Sequence, residues 1–154
     1  MDRLWAPWRV NYLKSKKPKG CVFCNALKGK SDYIFLKTRH AFGILNIYPY
    51  NNGHVMVSPL RHIADISLLK DAELLGLFRT VEKVKKMLDK ALRPEGYNIG
   101  INTSKSAGAG EAGHLHIHIV PRWRGDANFI TTVFDTKVIG QSLDHLYKEL
   151  KKHA

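Results

Sequence analysis

Between positions 114 and 123 the chain reads His114-Leu115-His116-Ile117-His118-Ile119-Val120-Pro121-Arg122-Trp123. Three of its eight histidines fall here at alternate positions, separated by leucine and isoleucine. Successive side chains of a strand point to opposite faces, with ~6.6 to 7 Å between every second residue. His114 to Pro121 therefore reads as a strand that sends Leu115, Ile117 and Ile119 into a core. His114, His116 and His118 then line the other face. A row of imidazoles can ligate a metal, move protons near neutral pH and, when neutral, attack phosphorus.

Two further segments carry chemistry. Cys21-Val22-Phe23-Cys24 has the spacing of half a zinc site. Redox use of the same spacing needs a thioredoxin-like strand-to-helix context, whereas this pair follows a lysine-rich linker, Lys14 to Gly20. Two free buried thiols are the remaining alternative. The stretch Asn102-Thr103-Ser104-Lys105-Ser106-Ala107-Gly108-Ala109-Gly110 has the makings of an anion cradle directly before the histidine strand. Glycines such as Gly108 and Gly110 permit close backbone approach and let amide hydrogens face one phosphate.

The alternation of histidine with apolar residues resembles the histidine-triad (HIT) motif of nucleotidyl hydrolases and transferases. Leu4-Trp5-Ala6-Pro7-Trp8-Arg9, the cysteine pair, Ala107-Gly108-Ala109-Gly110 and Pro121-Arg122-Trp123-Arg124-Gly125-Asp126 resemble the branch of bacterial diadenosine-tetraphosphate (AP-4-A) phosphorylases. The resemblance implies that His116, the middle histidine, is the nucleophile toward the α-phosphate and forms a covalent adenylyl intermediate. It implies that His118 hydrogen-bonds the α-phosphate or the bridging oxygen. It also implies a closed structural zinc site in which His62, of Pro59-Leu60-Arg61-His62, and His114 complete the cysteine pair. No organic cofactor is implied.

Other positions carry over in the same way. His54 matches a fourth family histidine that supports the triad through hydrogen bonds; a packed core histidine is the alternative. Asn46 stands where a polar side chain holds the ribose hydroxyls, and Ile47 would flank the base. Asn102 would reach the ribose or phosphate. Trp123 would stack on a second base or pack, while Trp5 and Trp8 read as packing residues of the N-terminal segment. Gly110 stands where many hydrolase branches carry a glutamine that helps the leaving group. Two departures from the phosphorylase pattern are Ser104, where glycine is frequent, and Gly113, where an acidic residue is frequent.

Elements must position these groups. Tyr33 to Lys37, Ala41 to Asn46, His54 to Ser58 and Tyr97 to Asn102 read as strands, followed by a glycine-rich loop to Gly113 and the histidine strand. Tyr48-Pro49-Tyr50-Asn51-Asn52-Gly53 is dense in turn formers. From Asp71 to Leu92, Leu74, Leu75, Phe78, Val81, Val84, Leu88 and Leu92 recur at helical spacing, and Arg93-Pro94-Glu95-Gly96 stops the helix. Leu143, Leu146, Tyr147 and Leu150 mark a second helix within Gln141 to Lys152. The expectation is an α+β, HIT-like fold: an antiparallel sheet of five or more strands in meander order, one long central helix and a C-terminal helix.

At 154 residues, with 44% apolar and 10% aromatic residues, the chain suits one folded domain over 1–154, with an extension at 1–20 and a tail at 127–154. No apolar run of about eighteen residues suggests a membrane span, and the N-terminus carries no secretory signature. Two cysteines separated by two residues cannot build a disulfide framework, and a cytoplasmic location is the expectation. The net charge of +12 suits anionic ligands. Its lysines are dispersed in separate runs, so nucleic acid is a weaker partner than a nucleotide. The function expected is cleavage of adenine dinucleoside polyphosphates at the α-phosphate, with phosphate or water as acceptor and phosphate favoured by the loop. Alternatives are a nucleoside phosphoramidate hydrolase, cleaving AMP esters or amides, and a nucleic-acid-binding or deadenylating protein. The resemblance further implies a homodimer paired through the long helix and a strand edge.

Overall fold

The structure is a computed structural model, described for residues 20–30, 33–127, 131, 133 and 138–154. Trp5, Trp8 and most of the N-terminal extension and lysine linker lie outside the described residues. Five antiparallel strands form one sheet: β1 (Ile34–Lys37), β2 (Ala41–Leu45), β3 (Val55–Pro59), β4 (Gly96–Ile101) and β5 (Ile117–Arg122). Their order is β1-β2-β3-β5-β4. The meander expected from the sequence holds for the first three strands only. β5 enters between β3 and β4, so the histidine strand is interior and both its edges are paired.

Helix α1 (Val22–Asn25) follows the first cysteine and was not legible as a helix; α2 (Asp71–Leu92) and α3 (Leu143–Lys151) lie close to their expected positions. Asp71 and Glu73 occupy the first turn of α2, where carboxylates complement the helix dipole. The Glu73 carboxylate also accepts the Lys70 N–H at 2.9 Å. The helix ends at Arg93, whose φ of 48° is left-handed, and Pro94 prevents continuation.

Alternation divides the sheet into two faces. Phe35, Leu45, Val55, Val57, Ile117 and Ile119 pack with Leu77, Val81, Val84 and Leu88 of α2 and Leu146 and Leu150 of α3. The buried stripe of α2 differs from the one read off the sequence. Leu77, Thr80 and Met87 are inside, whereas Leu75 and Phe78 are 61% and 49% exposed. Apolar residues occur on two sides of this helix, so spacing alone did not identify the sheet-facing side. Gly43 lets α2 approach: a Cβ there would lie 2.8 Å from the Phe35 ring and 3.2 Å from Val84.

On the other face Phe42 and Ile44 pack against Phe23 and Ala26, with Met56 beside them. This smaller cluster carries the cysteine segment onto the histidine side of the sheet. Among the described residues no helix is long and apolar enough to cross a membrane.

Candidate active site and metal centre

Ladder pairing of the histidine strand starts at Ile117, three residues later than the alternation suggests. Ahead of it the backbone has other partners: the Leu115 N–H bonds the Ile63 carbonyl at 2.6 Å, and the Leu115 carbonyl accepts from Ser58 Oγ at 2.8 Å. The alternation of faces nevertheless persists. Leu115, Ile117 and Ile119 are buried in the main core, and His114 and His116 are buried on the opposite side.

His114 turns toward the cysteines. Its Nδ1 lies 3.3 Å from Cys21 Sγ and 3.6 Å from Cys24 Sγ, while His62 Nδ1 lies 3.3 Å from Cys24 Sγ. The four ligand atoms all fall within 4.8 Å of one another. Tetrahedral zinc, with bonds of about 2.3 Å to sulfur and about 2.0 Å to nitrogen, needs sulfur–nitrogen separations of about 3.5 Å. The donor set therefore fits one such ion. His114 Nε2 donates to the Pro59 carbonyl at 3.0 Å, which orients the ring and leaves Nδ1 bare for a metal. Burial, the main cause, lowers the pKa of His114 and favours the neutral form that a ligand must have.

Two contacts brace the cluster. Phe23, between the cysteines, lies 5.2 Å from the His114 ring and 4.9 Å from the His116 ring. Arg61, next to His62, makes two bonds to the Glu73 carboxylate at 2.7 and 2.9 Å and a third to the Leu68 carbonyl. It thereby ties the His62 segment to the start of α2. Neither Arg61 nor Glu73 was singled out by sequence, because a pair twelve residues apart has no periodic signature.

Hydrogen bonds assign the tautomers of the remaining histidines. His116 Nδ1 lies 2.8 Å from the His114 carbonyl, which only accepts, so Nδ1 carries the proton and Nε2 carries the lone pair. His54 Nδ1 accepts the Tyr50 N–H at 3.0 Å, which places the His54 proton on Nε2. That Nε2 lies 2.9 Å from His118 Nδ1 and donates to it. The proton of neutral His118 is therefore on Nε2, a buried atom with no partner among the described residues. Burial, then the neighbouring histidines, lowers His54 to about 3 and His118 to about 4. The site thus holds a bare nitrogen on His116 beside a committed N–H donor on His118, their rings 4.9 Å apart.

Gly100 of β4 pairs directly with His118. Paired residues share a face, and open space surrounds the place of its missing Cβ. The position of β4 directly opposite this histidine therefore places no side chain over it.

The other expected residues are distributed around this pair. Asn46 is buried; its Oδ1 accepts the Tyr48 N–H at 2.8 Å and its Nδ2 lies 3.4 Å from both His54 ring nitrogens. The side chain thus also shapes the loop beside it. Ile47 is 50% exposed. In the glycine loop, the amides of Gly108 and Ala109 turn inward to the carbonyls of Lys105 and Ser104, so neither is available to cradle a phosphate. Gly108 instead supplies a left-handed corner at φ 91°, near Asn102. Around Gly110 there is open space. Trp123 opens the turn closed by Asp126, whose carboxylate also accepts from Arg122 at 2.7 Å and from Asn51 Nδ2 at 2.7 Å. The Pro121–Asp126 segment is thus a corner that joins β5 to the 46–53 loop.

An antiparallel sheet carrying a row of histidines beside a two-cysteine, two-histidine cluster defines a histidine-triad protein. The HIT domain model matches residues 28–125, and the chain belongs to that family. It is 38% identical to the AP-4-A phosphorylase of Mycobacterium tuberculosis, an alignment spanning 93% of this chain and 79% of that protein. Among solved structures it resembles a histidine triad nucleotide-binding protein, ST2152, of Sulfolobus tokodaii, with TM-score 0.72 and 26% identity over 86% and 91% of the two chains. A zinc-bound histidine triad family protein of Mycobacterium smegmatis superposes with TM-score 0.71 and 26% identity over the same shares, 86% and 91%.

Proposed function

We propose that the protein is an enzyme that cleaves adenine dinucleoside polyphosphates of the diadenosine tetraphosphate type, by adenylyl transfer through His116. The observation that carries this reading is the tautomer pair: a bare Nε2 on His116 next to a neutral Nε2–H donor on His118. The similarity to an AP-4-A phosphorylase supports the substrate class. In the first step His116 Nε2 attacks the α-phosphorus while the bond to the bridging oxygen breaks. His118 Nε2–H stabilises the charge that develops on the departing oxygen. In the second step inorganic phosphate displaces His116 and forms ADP; water in its place would form AMP. Asn46 and Ile47 take the first nucleoside, Asn102 and the loop edge at Gly110 take phosphate oxygens, and Trp123 lies at the far end of β5.

Cys21, Cys24, His62 and His114 would hold a structural zinc, with no open position for substrate. Such an ion would fasten the cysteine segment to the strand that bears His116. Two thiols in one such cluster suit a reducing, cytoplasmic setting. A single domain is supported by α3, which packs into the same core as α2 and the sheet. Exposed Leu75 and Phe78, together with Ile99 on the β4 edge, support a homodimer, which light scattering at micromolar concentration tests.

The deciding experiment incubates zinc-replete protein with diadenosine tetraphosphate, with and without inorganic phosphate. ADP and ATP are expected when phosphate is present. No cleavage under either condition would reject the substrate class, and AMP in the presence of phosphate would reject the acceptor.

A further inference from the structure

Tyr50 belongs neither to the metal cluster nor to the histidine row, yet its ring covers part of that row. The ring centroid lies 4.5 Å from that of His54 and 5.7 Å from that of His118, with planes inclined by 38° and 28°. The ring thus packs against both imidazoles, tilted against His54 and stacked toward His118. The residue is still 56% exposed, so the contacts with the histidines leave ring surface open to solvent.

An exposed ring on a loose loop would carry little weight, but this loop is fastened at every step. The Tyr50 N–H bonds His54, and the His54 N–H bonds the Asn51 carbonyl at 3.2 Å. Asn51 Nδ2 reaches the Pro121 carbonyl at 2.9 Å and the Asp126 carboxylate at 2.7 Å. Gly53 closes the turn at φ 74°, where a Cβ would collide with Leu92 and Pro121. A fixed aromatic surface therefore stands beside His118, the residue proposed above to meet the departing oxygen through its Nε2–H.

This inference rests on the function proposed above: we propose that Tyr50 is the stacking platform for the nucleobase of the leaving half of the substrate. Attack by His116 expels the chain beyond the bridging oxygen, and His118 marks the side on which it leaves. A dinucleoside polyphosphate carries its second base at the far end of that flexible chain. A tyrosine face accepts any planar base without a hydrogen-bond code. Ordering one ring already held on both histidines costs little conformational entropy.

The test compares two ligands that differ in the second nucleoside, P1,P4-diadenosine tetraphosphate and adenosine 5′-tetraphosphate. Affinities are measured by calorimetry on the zinc-replete His116→Asn protein, which should turn them over too slowly to deplete them during a titration. With Tyr50 present, the dinucleotide should bind about 5- to 150-fold more tightly, the range of one base–aromatic stack. Tyr50→Leu and Tyr50→Gln should abolish that advantage while leaving adenosine tetraphosphate binding unchanged, which also reports that the variants are folded. Tyr50→Phe and Tyr50→Trp should retain it. The proposal is overturned by a dinucleotide advantage that survives Tyr50→Leu, or by equal losses for both ligands. Failure of both ligands to bind the protein with Tyr50 intact would instead reject the substrate class.

Discussion

His54 Nε2 and His118 Nδ1 are joined by a 2.9 Å hydrogen bond whose direction is set by a backbone amide, that of Tyr50, on the far side of the His54 ring. A turn in the 46–53 loop thereby determines which nitrogen of His118 holds a proton. On the function proposed above, His54 would be a positioning residue that acts on the site through His118. The arrangement works only while both rings are neutral, because a protonated His118 would have no acceptor at Nδ1 for the His54 proton.

Stability should therefore fall as the solution is acidified. An unfolded histidine takes up its proton near pH 6.5, whereas folded His54 resists down to about 3 and His118 to about 4. Between these limits the unfolded chain binds more protons, so stability is complete above about pH 6.5 and declines toward pH 4. His54 alone should contribute up to about 1.4 kcal/mol per pH unit. Thermal melts from pH 7 to 4.5 should show a shallower decline for His54→Gln than for the unaltered protein. Parallel slopes would mean that His54 is not held neutral.

Removing the proposed nucleophile should separate binding from chemistry. His116→Asn should lower kcat by roughly 10³-fold or more with little change in affinity, because the lost bond exists only along the reaction path. His118→Asn should lose about 10²- to 10³-fold, the usual effect of one transition-state donor. Two displacements at phosphorus also require net retention in a substrate bearing a chiral α-thiophosphate. Inversion, or near-normal turnover by His116→Asn, would exclude the covalent route.

Metal analysis should return one zinc per chain. Cys24→Ala, or a strong chelator, should lower the thermal midpoint before any effect on turnover by the folded fraction, since structural zinc contributes folding free energy. A chelated protein that melts unchanged would leave the four side chains as a hydrogen-bonded cluster without an ion.

The chemistry was more legible in the sequence than the packing. Strand alternation gave the opposite faces of Leu115 and His116 directly, and two-residue cysteine spacing gave half of a cluster that His62 and His114 complete. The place of β5 between β3 and β4 was not readable, because pairing order depends on contacts distant in sequence. Leu77 and Leu75 are equally apolar; only the sheet against α2 distinguishes the buried one from the exposed one. Tyr50 and Asn51 read as turn formers, and that reading was accurate but incomplete. Their ring and amide contacts to His54, Pro121 and Asp126 arise only after β5 returns beside the loop.

One departure from the phosphorylase pattern has a measurable consequence. Ser104 adopts φ 72° and ψ 169°, a region that is essentially the preserve of glycine. A non-glycine residue there costs of order 1–3 kcal/mol. The side chain recovers part of this through a 2.9 Å hydrogen bond between its Oγ and Ser106 Oγ, but that contact is exposed to solvent. Exposed hydrogen bonds of this kind return at most about 1 kcal/mol. The Ser104 carbonyl, which accepts the Ala109 N–H at 3.2 Å, is unaffected by the side chain. Ser104→Gly should therefore stabilise the folded state by about 1 kcal/mol and raise the melting temperature by a few degrees, about 2–4 °C for a chain of this size. Ser104→Ala keeps the backbone cost and loses the hydrogen bond, so it should destabilise slightly. Denaturant titration of both variants checks the pair: a glycine variant no more stable than the alanine variant would show that residue 104 is not held at positive φ.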